Sequence, residues 1–328
     1  MTFKNRRKFL QELAFTAGLA PFMTSFKSPG GVPHIGFLAG AGLPELYAAF
    51  TEELKKLGFN EGQTVFIERR LARPNTNDMV AFAQELVKMN LALVVAAALP
   101  YAIEVRKANS QMPMVIATCP GMVSNGFAQS LEHPGGIYTG LDELPAGITS
   151  RRLQLLKAAA PSITRVALLS TTPGVGGHEV QLSEAEKTAL AMGIEVKAYR
   201  ASSLSQLEEA LTGIIADKMN GMLNFQAGLS LANRKLIADF AAEHNIPAIY
   251  QATLFAEAGG LMSWAPDLVQ QFREAAHFVN KILKGAKPGD LPVQHPSKYY
   301  LTVNLTAAKK IGLTFTQELL SEATKIIP

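Results

Sequence analysis

One order of elements occurs twice in this chain, offset by about 130 residues, and it limits the fold more than any other feature. HIGFLAG (34–40) is a short apolar run ending in glycine; apolar residues then recur at helical spacing over 46–57 and stop at Gly58. TVFIERR (64–70) reads as a strand and 79–89 as an amphipathic helix. LALVVAAA (91–98) and PMVIATC (113–119) read as continuous apolar strands with a helix over 101–109 between them. RVALLST (165–171) restarts the series. A helix over 180–192 halts at Gly193, and IEVKAYR (194–200), GMLNFQAG (221–228) and IPAIYQA (246–252) follow as second, third and fourth strands. Strands that are apolar on both faces belong to a parallel sheet covered by helices on both sides. The class is therefore α/β, with two doubly wound Rossmann-like lobes, each built with right-handed crossovers. After the second series, 259–264 reads as a strand, 268–283 as a helix, and YYLTVNL (299–305) as a strand followed by two short helices.

The amino-terminal residues have a different character. Lys4, Arg6, Arg7 and Lys8 form a positive cluster, and 13–23 is apolar apart from Thr16. About 11 residues fall well short of the ~20 that span a bilayer as a helix. A basic cluster before a short apolar run is the layout of a secretory signal, and Arg-Arg-Lys-Phe-Leu resembles the core of a twin-arginine signal. Residues 1–31 are expected to be an export signal, removed between residues 20 and 31.

Export changes how the charge is read. The chain has 31 basic and 27 acidic residues, and the whole excess of four lies in residues 1–31. The remainder is formally neutral and gives no basic face of the kind nucleic acid requires. About 297 residues, in a chain that is 48% hydrophobic, are enough for two ordinary domains. Cys119 is the single cysteine, so an intramolecular disulfide is impossible.

Catalytic signatures fail one by one. The six histidines (34, 133, 178, 244, 277, 295) are scattered, and no Cys or His cluster has zinc spacing. PGVGGHE (173–179) follows a strand and precedes a helix, yet Glu179 stands where a dinucleotide fingerprint needs its third glycine; a flexible cleft loop is the expectation. No Gly-x-Ser-x-Gly elbow occurs, and Cys119 precedes Pro120-Gly121 rather than opening a helix that would lower its pKa. No cofactor and no metal are expected. Two α/β lobes without catalytic groups point to ligand capture between the carboxyl ends of two sets of strands, by hinge closure.

IGFLAG, ELKKLGFNEGQTVFIERR, LVVAAALPYAI, SLEHPGGIYTGL, RRLQLLKAAAP, IPAIYQATLFAEAGGLMSW and VNKILKGAKPGDLPVQHPSKYYLTVNLTAAKKIGLT, together spanning about 33–315, resemble the ABC-transporter substrate-binding proteins of the tryptophan/tyrosine type. The resemblance implies a type 1 periplasmic binding fold, with 32–142 and 252–287 in one lobe and 143–251 and 288–328 in the other. Hinge strands would cross at Asp142 and Glu143, at Gln251, and at Pro288. It further implies a periplasmic receptor, no enzyme, that passes a small organic solute to an ABC permease; a monomer is expected, since a cleft that closes on itself needs no partner lobe from another chain. The strand-end loops supply the candidate ligand contacts: Gly40, Ala41, Arg73, Pro100, Tyr101, Cys119, Pro120, Gly121, Gln226, Ala227 and Trp264.

Departures from the family pattern bear on the ligand. Gly121 and Ala227 stand where amino-acid-binding members tend to carry aspartates, and Arg73 stands where a glutamate is common. An ammonium group needs buried anionic partners, so the expected ligand bears a carboxylate and no ammonium, with Arg73 as its partner; the rival place for Arg73 is the lobe rim, paired with Glu68 or Asp78. Two other readings compete: an exported nucleotide- or dinucleotide-dependent α/β enzyme using PGVGGH, and a sensor domain tethered by an uncleaved leader.

Overall fold

The computed structural model describes residues 31–41, 44–73, 76–171, 176–225 and 228–328. All of the expected export signal except Gly31, and the candidates Gln226 and Ala227, lie outside the described residues. So do 173–175 of PGVGGHE, whose remaining residues open a helix.

The first lobe contains β1 (His34–Gly40), α1 (Pro44–Lys56), β2 (Phe66–Ala72), α2 (Asp78–Leu86), β3 (Leu93–Ala96), α3 (Leu99–Ala108), β4 (Met114–Cys119) and β5 (Tyr138–Asp142). Its strands are all parallel, in the order β2-β1-β3-β4-β5. The second lobe begins with α4 (Ile148–Ala159), β6 (Arg165–Ser170), α5 (Gly176–Ala191), β7 (Glu195–Arg200), α6 (Leu204–Ala216) and β8 (Gly221–Phe225). It continues through α7 (Gly228–Ala232), α8 (Arg234–Glu243), β9 (Ala248–Tyr250), α9 (Thr253–Glu257) and β10 (Met262–Pro266). After α10 (Leu268–Leu283), β11 (Tyr299–Asn304), α11 (Leu305–Lys310), α12 (Gln317–Glu322) and β12 (Lys325–Ile327) complete it. The second sheet runs β12-β11-β10-β9-β8-β6-β7, with β11 antiparallel to β10.

Each sheet carries an apolar cluster on either face, as strands without a solvent side demand. α1 shows why these segments are helices that dock: Glu45 lies in the first turn and Lys55 and Lys56 in the last, each sign matching the helix dipole, while Ala49, Phe50 and Leu54 are buried. α10 is capped by Asp267, whose Oδ1 accepts from Gln270 N at 3.1 Å. Its buried Phe272, Ala275, Ala276 and Val279 join Phe37 and Phe50 in the first-lobe core.

Two expected boundaries are corrected. Residues 252–287 do not all sit with the first lobe: β10 pairs in parallel with β9 and antiparallel with β11, so it is a strand of the second sheet. The five-residue α9 is a tight crossover between adjacent parallel strands and keeps the chain in the same sheet. The chain therefore crosses between β10 and α10, at Asp267, and Gln251 is the residue after β9 rather than a hinge. The return crossing also comes later than Pro288. Thr139 Oγ1 donates to Leu291 O at 2.8 Å, Val293 is buried in a first-lobe cluster, and Leu141 pairs with Gln294, so the chain stays on the first lobe beyond Pro288. Asp142 and Glu143 lie in the β5–α4 crossing.

Candidate functional site

The carboxyl ends of the two sheets face each other, and the lobes touch there. Pro120 O, after β4, approaches the start of α5 so closely that a Cβ added to Gly177 would lie 1.6 Å from it. Beneath this contact Pro120, Glu143, Leu144, Arg152, Gln251 and Pro266 enclose a cavity of about 10 Å³, room for one water-sized group. Pro266 also walls a larger pocket of about 410 Å³ between Leu46 of α1 and Thr253, Leu254 and Tyr300 of the second lobe, which lies within the range usual for small-molecule sites.

Helical periodicity brings Arg152 to this floor. Residues 152, 155, 156 and 159 share one face of α4, and Arg152 is buried with Leu155, Leu156 and Ala159 while Arg151 points outward to Glu322. Arg152 is 2% exposed. Its Nε donates to Trp264 O at 3.0 Å, and its Nη1 is buried with no hydrogen-bond partner among the described residues. Burial lowers its pKa to about 10, opposed by Tyr299, Glu143 and Glu184, so the guanidinium keeps its charge at neutral pH.

Glu143 faces the same cavity from the crossing. Its residue keeps part of its surface in the cleft, but its carboxyl is surrounded at interior density, and burial raises its pKa to about 7. Gln271 Nε2, donating to Oε1 at 3.1 Å, and the charge of Arg152 oppose that rise. At neutral pH the floor thus holds a full positive charge and a half-neutralised acid. Asp142 is committed elsewhere: its carboxylate accepts from the backbone N–H groups of Gly121 (3.1 Å), Met122 (2.8 Å) and Leu144 (2.9 Å), tying the β4 loop to the crossing. Gly121 has φ +88°, a left-handed conformation that favours glycine and lets this loop turn onto Asp142. Gln251 Nε2 donates to Gln181 Oε1 across the cleft wall.

The candidates drawn from the sequence separate into groups. Pro120 lines the floor. Gly40, Pro100 and Tyr101 stand together on the first-lobe wall, with the Tyr101 hydroxyl 2.8 Å from where a Gly40 Cβ would be. Ala41 follows β1 in the open, its N–H bonded to Ala72 O. Cys119 is fully buried, its thiol pKa pushed well up by burial and by Asp142 and Glu143, which leaves it an inert core residue. Arg73 does not reach the floor: its side chain is 71% exposed and forks onto Asp78, with Nε–Oδ2 at 2.7 Å and Nη2–Oδ1 at 3.0 Å. Trp264 stacks on Tyr299 at 6.1 Å on the α4 face of its sheet, giving the site its carbonyl rather than its ring. The supposed loss of acids from the cleft is offset by Glu143, an acid from the crossing that comparison of loop positions passes over. Arg152 is not among the strand-end loops that sequence points to, although RRLQLLKAAAP contains it; its signal is a charge on an otherwise apolar helical stripe. No group of metal-ligating residues and no helix long and apolar enough to cross a membrane occur among the described residues.

Two sheets facing across a cleft, with polar groups converging on its floor, have the layout of a bilobal receptor for a small ligand. The chain belongs to the ABC transporter substrate binding protein family, whose model matches residues 32–327. It is 21% identical over 264 residues to a tyrosine-binding protein of Clostridioides difficile (strain R20291), which covers 80% of this chain and 75% of that protein. Among solved structures, an ABC domain from Streptococcus pneumonia in complex with L-Trp superposes with a TM-score of 0.83 at 22% identity, covering 90% of this chain and 100% of that one. A conserved domain protein from Vibrio cholerae gives 0.82 at 24% identity, covering 90% and 99%. The architecture is that of type 1 periplasmic binding proteins, and the chain is a solute-binding protein, not an enzyme.

Proposed function

We propose that this protein is exported, captures a small organic carboxylate between its lobes as a monomer, and delivers it to the permease of an ABC importer. Arg6-Arg7 ahead of the apolar run supports the twin-arginine route. The family supports work outside the cytoplasmic membrane and a permease partner. The observation that carries the ligand class is the buried Nη1 of Arg152, left without a partner among the described residues on a side chain that lines the cleft cavity. A guanidinium fork matches a carboxylate through parallel hydrogen bonds, and a buried unsatisfied donor is costly until something accepts from it. The relatives named for tyrosine and solved with tryptophan hold ligands that bear a carboxylate. Here the buried guanidinium of Arg152, beside a Glu143 that burial holds partly protonated, favours a ligand without an ammonium group.

Two matched pairs test this. Hydroxyphenylpropionate and indolepropionate are tyrosine and tryptophan without the ammonium. The acids raise the melting temperature, by mass action on the folded state, more than the amino acids do. Equal or greater stabilisation by tyrosine or tryptophan overturns the preference, and no shift with any of the four overturns the carboxylate reading.

A further inference from the structure

Arg152 and Glu143 line one cavity, yet neither satisfies the other. Glu143 takes its side-chain hydrogen bond from Gln271, and Arg152 spends Nε on a carbonyl while Nη1 stays free among the described residues. We propose that Glu143 is the proton-carrying half of the ligand site: an organic carboxylate binds to Arg152 together with one proton taken from solvent by Glu143, whose acid form donates a hydrogen bond to the ligand. This rests on the carboxylate reading above and adds what that reading lacks, a second contact and the charge state in which the ligand is held.

The chemistry follows from what surrounds Glu143. Arg152 of α4 is the cation that opposes its protonation. Tyr299 of β11 donates its hydroxyl to Glu143 O at 3.3 Å, and Gln271 of α10 is uncharged. Asp142 is its neighbour in the chain and Cys119 of β4 accepts its N–H; Glu184 of α5 acts on Arg152, and His295 Nδ1 lies 2.7 Å from Asp142 O. Of the two acids, Glu143 is the one that lines the cavity, while the Asp142 carboxylate is committed to three backbone N–H groups. A carboxylate placed on Arg152 neutralises the cation that holds Glu143 ionised and adds a like charge beside it. Both changes favour the protonated acid. Arg152 and Glu143 line the same cavity, so a ligand group that widens it to meet one comes close to the other.

The test is calorimetric titration of the exported protein with indolepropionate and hydroxyphenylpropionate between pH 6 and 9, in buffers of contrasting ionisation heat. Binding takes up about half a proton or more per ligand at pH 7, and affinity rises about tenfold or more as pH falls from 9 to 6, since each unit of pKa difference between free and bound protein is tenfold in affinity. Glu143→Gln, which keeps the donor and removes the titration, gives no proton uptake, a flat pH profile, and tighter binding than wild type at pH 9. A carbon-13 label on glutamate supplies a reading without mutation: in the complex the Glu143 carboxyl keeps its protonated shift at pH 8. Acid binding without proton uptake, or an ionised Glu143 in the complex, overturns the inference and leaves the carboxylate reading standing. Failure of both probes to bind at any pH sinks the two together.

Discussion

Arg152 carries a charge into a place where charge is costly, and that cost is the clearest sign of what it is for. Replacing a buried ion with an apolar side chain of similar length is often neutral or stabilising. Arg152→Met should therefore leave the melting temperature of ligand-free protein unchanged or raise it. The same change should weaken an acid ligand by about thirtyfold or more, the consequence of removing a charged partner at a desolvated site. Scanning calorimetry with and without indolepropionate checks both. A large fall in the ligand-free midpoint would make Arg152 a structural residue, holding β10 through the Trp264 carbonyl. Arg73→Ala should leave affinity within about twofold, because an exposed ion pair with Asp78 contributes little. The contrast shows what single residues reveal in sequence. Arg73 looks functional because it follows a strand, but Asp78, five residues on, claims it at the surface. Arg152 looks like half of a surface Arg-Arg pair, but the spacing to Leu155, Leu156 and Ala159 puts it inside. Trp264 alternates with Ser263 and Ala265 along β10, and the apolar face takes the ring for packing on Tyr299.

Among the elements, α5 makes the contact that registers one lobe on the other. Gly177, in its first turn, meets the Pro120 carbonyl with no space for a side chain, and Pro120 Cβ would be 3.2 Å from an added Cβ. Both partners are backbone-linked, so neither yields as a flexible side chain would. Gly177→Ala should hold the lobes apart at this point. Solution scattering should give a larger radius of gyration than wild type in saturating ligand, and titration should show weaker binding with faster release; a wild-type radius would mean that α5 shifts to absorb the methyl. The existence and order of most elements were legible, since apolar strands bounded by glycine and helices with one apolar face announce their periods. Sheet membership was not. β10 has the same pattern as any strand of either lobe, and only its hydrogen bonds to β9 and β11 assign it to the second sheet. The late return of the chain was hidden for a similar reason: 289–294 has no period of its own and is held on the first lobe by Gln294 pairing with Leu141 and by Thr139.

At the scale of the whole molecule, the acid between the lobes couples their closure to pH. Burial between the lobes raises the pKa of Glu143 from an ordinary 4.5 to about 7, and opening the cleft would return the carboxyl to water. For a carboxyl whose pKa is raised by burial, the buried form is fully favoured below the ordinary value, and that advantage is lost as pH rises through the raised one. The difference amounts to about 3 kcal/mol at most, about three hundredfold in the ratio of closed to open forms. Opening the cleft hydrates Glu143 without unfolding either lobe, because each lobe keeps its own apolar clusters on both faces of its sheet. Opening is therefore the easier relief for the ionised acid. Ligand-free protein should be more open at pH 8.5 than at pH 5.5, with a larger radius of gyration by scattering, and Glu143→Gln should stay closed at both. His295, whose ring meets Asp142 O at 2.7 Å, is another ionisable side chain at the crossing. His295→Gln should keep the wild-type change in radius if Glu143 is the group responsible. A pH response lost in His295→Gln and retained in Glu143→Gln would move the coupling to the histidine.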